Sequence, residues 1–385
     1  MSKCVLPWIS LETTPLGGVR PCCLFTEEIP GIDLSTHTLE DAFTSEYMRT
    51  LRSEFNRREK PAQCNRCWVE ESAGKKSKRE YMLEKFKNVH VDYDNLMGES
   101  LQFLDLKLGN ICNLKCRICC SWSSSAWAQE ERSQYGEDHI ATQWLQQGSW
   151  PRRSEKFWKN IDEILPNVKY FEFTGGEPFL IKQHFDLLHG AVEQGYAQNI
   201  DIHYNTNGTQ FPQQYTVWKH FKHVQIAFSI DNVGERFEYE RDGANWQEVN
   251  HNIQRFLELQ DYPFSFQICV TWNVQNILYL SEFLDWAGTT GIQDIHFNLM
   301  YDPEEFSLTN LPTLAKSTVI GNLEKAAEDY PDYQRQILSL KQLVSDAEEN
   351  DGRALVNKLR RTDLYRAKNF ADTHPEMARL IGYER

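Results

Sequence analysis

Between residues 101 and 300 the chain repeats one pattern six times. Short runs in which apolar and polar residues take turns lie at Leu101–Leu108, Val168–Phe173, Ile200–Asn205, Val224–Ile230, Phe264–Trp272 and Asp294–Met300. A period of two marks a strand whose faces differ. One parity carries Leu104, Leu106 and Leu108, then Phe171 and Phe173, Ile202 and Tyr204, Val224, Ile226, Phe228 and Ile230, Ile268 and Val270, Ile295 and Phe297. The other carries Asp105 and Lys107, Glu172 and Thr174, His203 and Asn205, Gln225, Ser229 and Asp231, Gln267, Cys269 and Thr271, His296 and Asn298. Helical stretches separate the runs, so the strands are expected to be parallel and joined by crossovers. The apolar faces belong beneath those helices. The polar faces then line the interior, where unpaired and unhydrated polar groups are costly. The pattern predicts a hydrated, polar cavity, with internal pairing as the alternative for any one residue.

Outside this region the pattern changes. Trp8–Glu12 and Val19–Leu24 read as short strands around a tight turn at Leu16-Gly17-Gly18-Val19. Residues 36–58 read as one helix, and the charged stretch 75–87 as another. Ser121–Pro166 holds five tryptophans and is longer than one crossover needs. It reads as a helical packing insertion, with a substrate-facing lobe as the alternative. After residue 306 helices are expected at Thr313–Asp329, Tyr333–Ala347, Arg353–Arg361 and from Pro375. Three units follow: 1–98, 99–305, and a helical cap over 306–385.

Composition narrows the class. Apolar residues make up 41% of the 385, enough for a sizeable core, yet no run approaches the roughly 18 needed to span a bilayer. Met1–Pro7 lacks the apolar stretch of a signal peptide, so a cytoplasmic location is expected. The net charge of −14, with no basic block, disfavours a broad nucleic-acid footprint. Ten cysteines in tight clusters point to metal rather than disulfides.

The densest cluster is Cys112-Asn-Leu-Lys-Cys116-Arg-Ile-Cys119, directly after the first strand. Three thiolates can hold three irons of a cubane cluster and leave the fourth open. After the second strand comes Thr174-Gly175-Gly176-Glu177-Pro178, where glycines let backbone approach a ligand closely. The bland alternative is a zinc site and an ordinary Gly-Gly turn. Together the two motifs resemble the signature of the radical S-adenosylmethionine (radical SAM) superfamily. The resemblance implies a partial (β/α)6 barrel. It implies a [4Fe–4S] cluster on Cys112, Cys116 and Cys119 whose open iron chelates SAM. It implies reductive cleavage of SAM to a 5′-deoxyadenosyl radical that abstracts a substrate hydrogen atom. Gly175, Gly176, Glu177 and Pro178 would bind the SAM amino group. Ser229 and Asp231 would meet the ribose, Arg241 the carboxylate, and Asn273 either one. Ile118 replaces the usual aromatic residue beside the adenine.

A second constellation, Cys4-x2-Pro7-Trp8, Gly17-x4-Cys22 and Cys64-x2-Cys67, resembles the twitch/SPASM module of that superfamily. It lacks the extra cysteines of a full SPASM module and precedes the barrel instead of following it. One auxiliary [4Fe–4S] cluster on Cys4, Cys22, Cys64 and Cys67 is implied, with Cys23 as rival to Cys22 and zinc as rival to iron. Such modules suggest oxidative modification of a ribosomally made peptide, with flavodoxin or ferredoxin as electron donor. Radical oxidation or rearrangement of a small polar metabolite is the alternative. Glu172, Lys107, His203 and His296 are the polar-face candidates for the chemistry. Cys269 would donate hydrogen if the enzyme were an epimerase. A non-enzymatic iron–sulfur redox sensor is the rival of a different class.

Overall fold

Ten strands form in the computed structural model, which describes residues 3–72, 76–259 and 261–383. They are β1 (Ser10–Thr13), β2 (Val19–Arg20), β3 (Phe103–Leu106), β4 (Lys115–Cys116), β5 (Tyr170–Phe173), β6 (Asp201–Thr206), β7 (His223–Ser229), β8 (Arg241–Asp242), β9 (Phe264–Trp272) and β10 (Asp294–Leu299). Eight make one sheet in the order β10-β9-β7-β6-β5-β3-β1-β2, and β4 pairs with β8. All neighbours in the large sheet run parallel except β1 and β2. The six runs of alternating polarity are β3, β5, β6, β7, β9 and β10, the strands of a partial barrel. Their apolar parity is buried: Leu104, Phe171, Ile202, Val224, Ile226, Phe228, Ile268 and Val270 are 0% exposed.

Several local expectations need correction. Trp8 and Ile9 lie in a helical turn, Leu6–Ile9, rather than in a strand. Pro7 opens that turn at a position where its missing N–H goes unnoticed, and the strand starts only at Ser10. The second arm of the hairpin ends at Arg20, because Pro21 cannot donate to a ladder. The single helix over 36–58 is two, Leu39–Phe43 and Glu46–Asn56. Ser45 breaks the run by capping the second, its hydroxyl accepting from the Met48 N–H. The charged stretch forms a helix over Lys78–Lys85, capped by Ser77; residue 75 lies outside the described residues. The insertion is helical, with helices over Ser125–Tyr135, Ile140–Gln147 and Glu155–Ile164.

The N-terminal hairpin continues the barrel sheet. Ser10, Leu11 and Glu12 sit opposite Phe103, Leu104 and Asp105. The cysteine-rich segment is therefore fastened to the barrel wall by a parallel ladder. At the other end of the chain, the helix Arg353–Arg366 runs one turn beyond the expected stop at Arg361. That turn carries Asp363, which is buried and accepts from Arg117 at 2.5 Å, Tyr239 at 2.8 Å, Tyr383 at 2.6 Å and the Phe370 N–H at 2.8 Å. Arg117 lies between Cys116 and Ile118 and also rests on the Tyr239 ring at 3.6 Å. The cap thus grips the loop that carries the three clustered cysteines.

Candidate active site

The cysteine loop leaves the C-terminal end of β3, where barrel sites are built. The antiparallel pair β4–β8 seats Cys116 opposite Arg241. Burial pushes the Cys112 thiol up to about 12 and raises Cys116 and Cys119 as well; the neighbouring thiols of the trio add to Cys112 and Cys119. All ten cysteines are free of disulfides. Three thiols on one loop, Cys116 buried and Cys112 and Cys119 half-buried, are a donor set suited to iron–sulfur ligation. Cys120, next in line, is exposed.

The glycine loop leaves β5 and packs onto the cysteine loop. Gly175 and Gly176 have φ of 68° and 56°, a region hard for other residues. A Cβ on Gly176 would stand 2.5 Å from the Ile111 carbonyl oxygen, and the Glu177 N–H donates to that oxygen at 2.7 Å. Pro178 opens the short turn that follows. The Glu177 carboxylate itself is 0% exposed. It accepts from the Thr206 hydroxyl at 2.8 Å and from the N–H groups of Asn207 at 2.7 Å and Phe179 at 3.1 Å. Burial pushes its acid up to about 7 against those donors. The carboxylate therefore holds the turn after β6 in place. Asn207 in turn donates to Asn113 at 3.1 Å, inside the cysteine loop. Replacing Gly176 by Ala forces an unfavourable φ and pushes backbone against backbone. We expect SAM binding to the reconstituted protein, measured by equilibrium dialysis, to weaken at least about tenfold. Unchanged affinity would mean that this contact does not seat the cofactor.

Arg241 and Asp231 meet across the cleft at 2.6 Å, both buried. The second Asp231 oxygen accepts from the Thr271 N–H at 2.8 Å. Arg241 also approaches the Cys116 sulfur at 3.9 Å. The arginine expected to meet the SAM carboxylate is thus already paired, within reach of the cysteine loop. Ile118 and Ser229 are half-buried. Asn273 is fully buried, its amide committed to a local turn with Gln275 and Thr271. Cys269 lies across from Ser229, and its thiol donates to Gln267 at 3.1 Å. His296 is exposed on β10, the last strand of the sheet.

Lys107, Glu172 and His203 come together on the interior face with two residues that periodicity alone could not supply, Glu12 and Lys78. Lys107 bridges Glu12 and Asp105. Lys78, from the capped helix, lies 3.6 Å from Glu172. Burial alone would raise Glu172, but Lys78, His203 and Lys107 together hold it below the ordinary value. His203 pairs with Gln225 at 2.9 Å. Many of the polar-face groups are therefore internally paired.

The second cysteine site forms inside the N-terminal segment. Cys4, Cys22, Cys64 and Cys67 line one small pocket with Leu6, Phe25, Phe55 and Trp68. Burial pushes Cys4 up to about 12, and the charges of Cys64 and Cys67 add to it. Cys23 turns the other way. Its sulfur accepts from Lys78 Nζ at 2.9 Å and lies near Asp105, Glu172 and Glu12. The backbone geometry after β2 separates the two neighbours, and Cys22 is the one that faces the other three thiols.

Comparison with known proteins bears on both sites. Residues 106–287 match the radical SAM superfamily, and residues 4–68 match an iron–sulfur cluster-binding domain of the SPASM type. The GTP 3′,8-cyclase of Vibrio vulnificus (strain YJ016) is 24% identical over 275 residues, covering 65% of this chain and 74% of the cyclase. A solved structure of native anSMEcpe with bound AdoMet aligns with a TM-score of 0.42 and 18% identity over 60% of this chain and 61% of its own. Streptococcus suis SuiB bound to S-adenosylmethionine aligns with a TM-score of 0.40 and 15% identity over 84% of this chain and 66% of its own. Both alignments take in less than two thirds of the solved chain.

Proposed function

We propose that this chain, which carries a radical SAM domain behind an iron–sulfur cluster-binding domain, oxidatively modifies a ribosomally made peptide. Its cofactors are SAM, the [4Fe–4S] cluster that binds it, and one auxiliary iron–sulfur cluster. When bound, they supply reductive cleavage of SAM and abstraction of a substrate hydrogen atom. The observation that carries the oxidative reading is the step from Cys22 to Cys23. One residue faces the auxiliary thiols and the next faces the barrel interior, which supports a redox centre close to the substrate.

The chain's own residues do the rest. Cys112, Cys116 and Cys119 hold one cluster; Cys4, Cys22, Cys64 and Cys67 hold the other. Gly176 and Ile111 keep the glycine loop against the cysteine loop. Asp363 and Arg117 fix that loop from behind. Glu172, 3.6 Å from the Lys78 ammonium, offers its carboxylate on the interior face as a polar contact for the substrate. Among the described residues β2 and β10 end the sheet without pairing to one another, and we take that gap as the way in for a peptide. No described helix is long and apolar enough to cross a membrane. Flavodoxin or ferredoxin is the class of electron donor that fits.

A second reading, a small polar metabolite as substrate, is favoured by the relative named GTP 3′,8-cyclase. One experiment separates them. The full chain, reconstituted without oxygen, is given SAM, a reductant and either short peptides or polar metabolites. 5′-Deoxyadenosine release and product mass are followed. We expect peptides to raise release and to lose two hydrogen atoms. Stimulation by metabolites alone would replace the peptide reading, and no release under any condition would end both.

A further inference from the structure

Cross-strand register sets Arg20, Glu12, Asp105 and Glu172 side by side on the interior face. Residues directly opposite one another share a face of the sheet. Glu12 and Asp105 are only 2% and 3% exposed. They share one ammonium, that of Lys107, which contacts Glu12 Oε1 closely and Asp105 Oδ1 at 3.3 Å. Thr174 also donates to Asp105 Oδ1, at 2.9 Å. The remaining oxygens, Glu12 Oε2 and Asp105 Oδ2, are buried and receive no donor among the described residues. Arg20 mirrors them. Its Nε is buried without an acceptor, and its guanidinium lies over the Trp122 ring at 5.8 Å. Lys78 bounds the far side, between Glu172 and Cys23.

This cluster on the interior face sets three carboxylates against three cations and, among the described residues, leaves two acceptors and one donor unmet. Buried polar groups without partners carry the full cost of desolvation. The missing complement is a ligand that is close to neutral overall, with an N–H cation at one end and an oxygen at the other. Charge-assisted hydrogen bonds are the strong ones, so a charged nitrogen suits the carboxylates best. We propose that this cluster of side chains binds an α-ammonium group together with its adjacent carbonyl or carboxylate oxygen, the ammonium at Glu12 and Asp105 and the oxygen at Arg20. A peptide amino terminus and a free amino acid both present that chemistry. The inference deepens the peptide reading above and rests on it.

The test is binding, not turnover. The full chain, reconstituted without oxygen, is titrated by calorimetry with trialanine, N-acetyl-trialanine and alanine. We expect trialanine to bind and its acetylated form to bind at least about tenfold more weakly, because acetylation removes the cation. Trialanine tighter than alanine identifies a peptide terminus, and equal affinity identifies a free amino acid. Glu12→Gln and Arg20→Gln should each weaken trialanine about tenfold with iron content unchanged. Equal binding of the acetylated peptide overturns the proposal. So does the absence of binding at about 10 mM, a level at which even a weak site is filled. Variants that bind like the parent overturn it too. If Glu12→Gln does not fold, the acetylation comparison on the unaltered protein decides alone. 5′-Deoxyadenosine measured on the same preparation keeps this outcome apart from the fate of the reaction class.

Discussion

Alanine at Cys112, Cys116 and Cys119 together should lower iron from about eight atoms per reconstituted chain to about four and abolish 5′-deoxyadenosine formation. The expectation follows from the separation of the two thiol sets. The loop trio is seated by β4, β8 and the Asp363–Arg117 pair, whereas the other four thiols lie in the N-terminal segment. Neither set borrows a ligand from the other. Losing the trio should therefore leave the second cluster's spectrum intact, read by UV-visible absorption and electron paramagnetic resonance. The fold should persist, since the trio contributes little to the apolar core. A variant that keeps about eight irons would mean that other ligands hold the first cluster. A parent protein with about four, all lost in the variant, would remove the auxiliary cluster.

The second large effect separates two adjacent residues. Cys22→Ala should lose the auxiliary cluster, about four irons, and lower the thermal transition, because ligand binding to a folded site stabilises the fold that forms it. Cys23→Ala should keep about eight irons. Its sulfur accepts a hydrogen bond from Lys78 and does not face the other thiols. Iron content and thermal unfolding of both variants check the contrast. If Cys23→Ala lost the iron and Cys22→Ala kept it, the assignment of faces after β2 would be reversed.

How much of this was legible in sequence depends on the distance over which each interaction acts. Alternation along β5, β7 and β9 is local, and it marks the buried parity of Phe171, Val224 and Val270 correctly. The spacing of Cys112, Cys116 and Cys119 and the glycines after β5 are also local. What no window reveals is pairing between distant segments. Glu12 becomes part of the interior only because β1 lies along β3. Lys78 reaches Glu172 only because a capped helix crosses beneath the barrel wall. Asp363 matters because its helix runs one turn past the expected end and meets Arg117. The choice between Cys22 and Cys23 was open in the sequence for the same reason. The two cysteines sit in the turn after β2, where periodicity assigns no face, and only the position of the other ligands says which one counts. Glu177 shows a different limit. The motif names the residue, but its carboxylate is engaged by Thr206 and Asn207, whose approach depends on the β6 turn.

The parallel ladder between β1 and β3 also sets an order of events during synthesis. Cys4 and Cys22 leave the ribosome early, yet the strand that fixes their hairpin comes much later; Thr13 and the Lys107 carbonyl it bonds are 94 residues apart. Contacts so distant in sequence form late, after the intervening chain has been ordered. Cys64 and Cys67 also emerge before β3. All four auxiliary thiols are thus translated before their scaffold can lock. A cluster delivered before β3 is made meets a loose, open set of thiols, and one delivered afterwards meets a site already fastened to the barrel sheet.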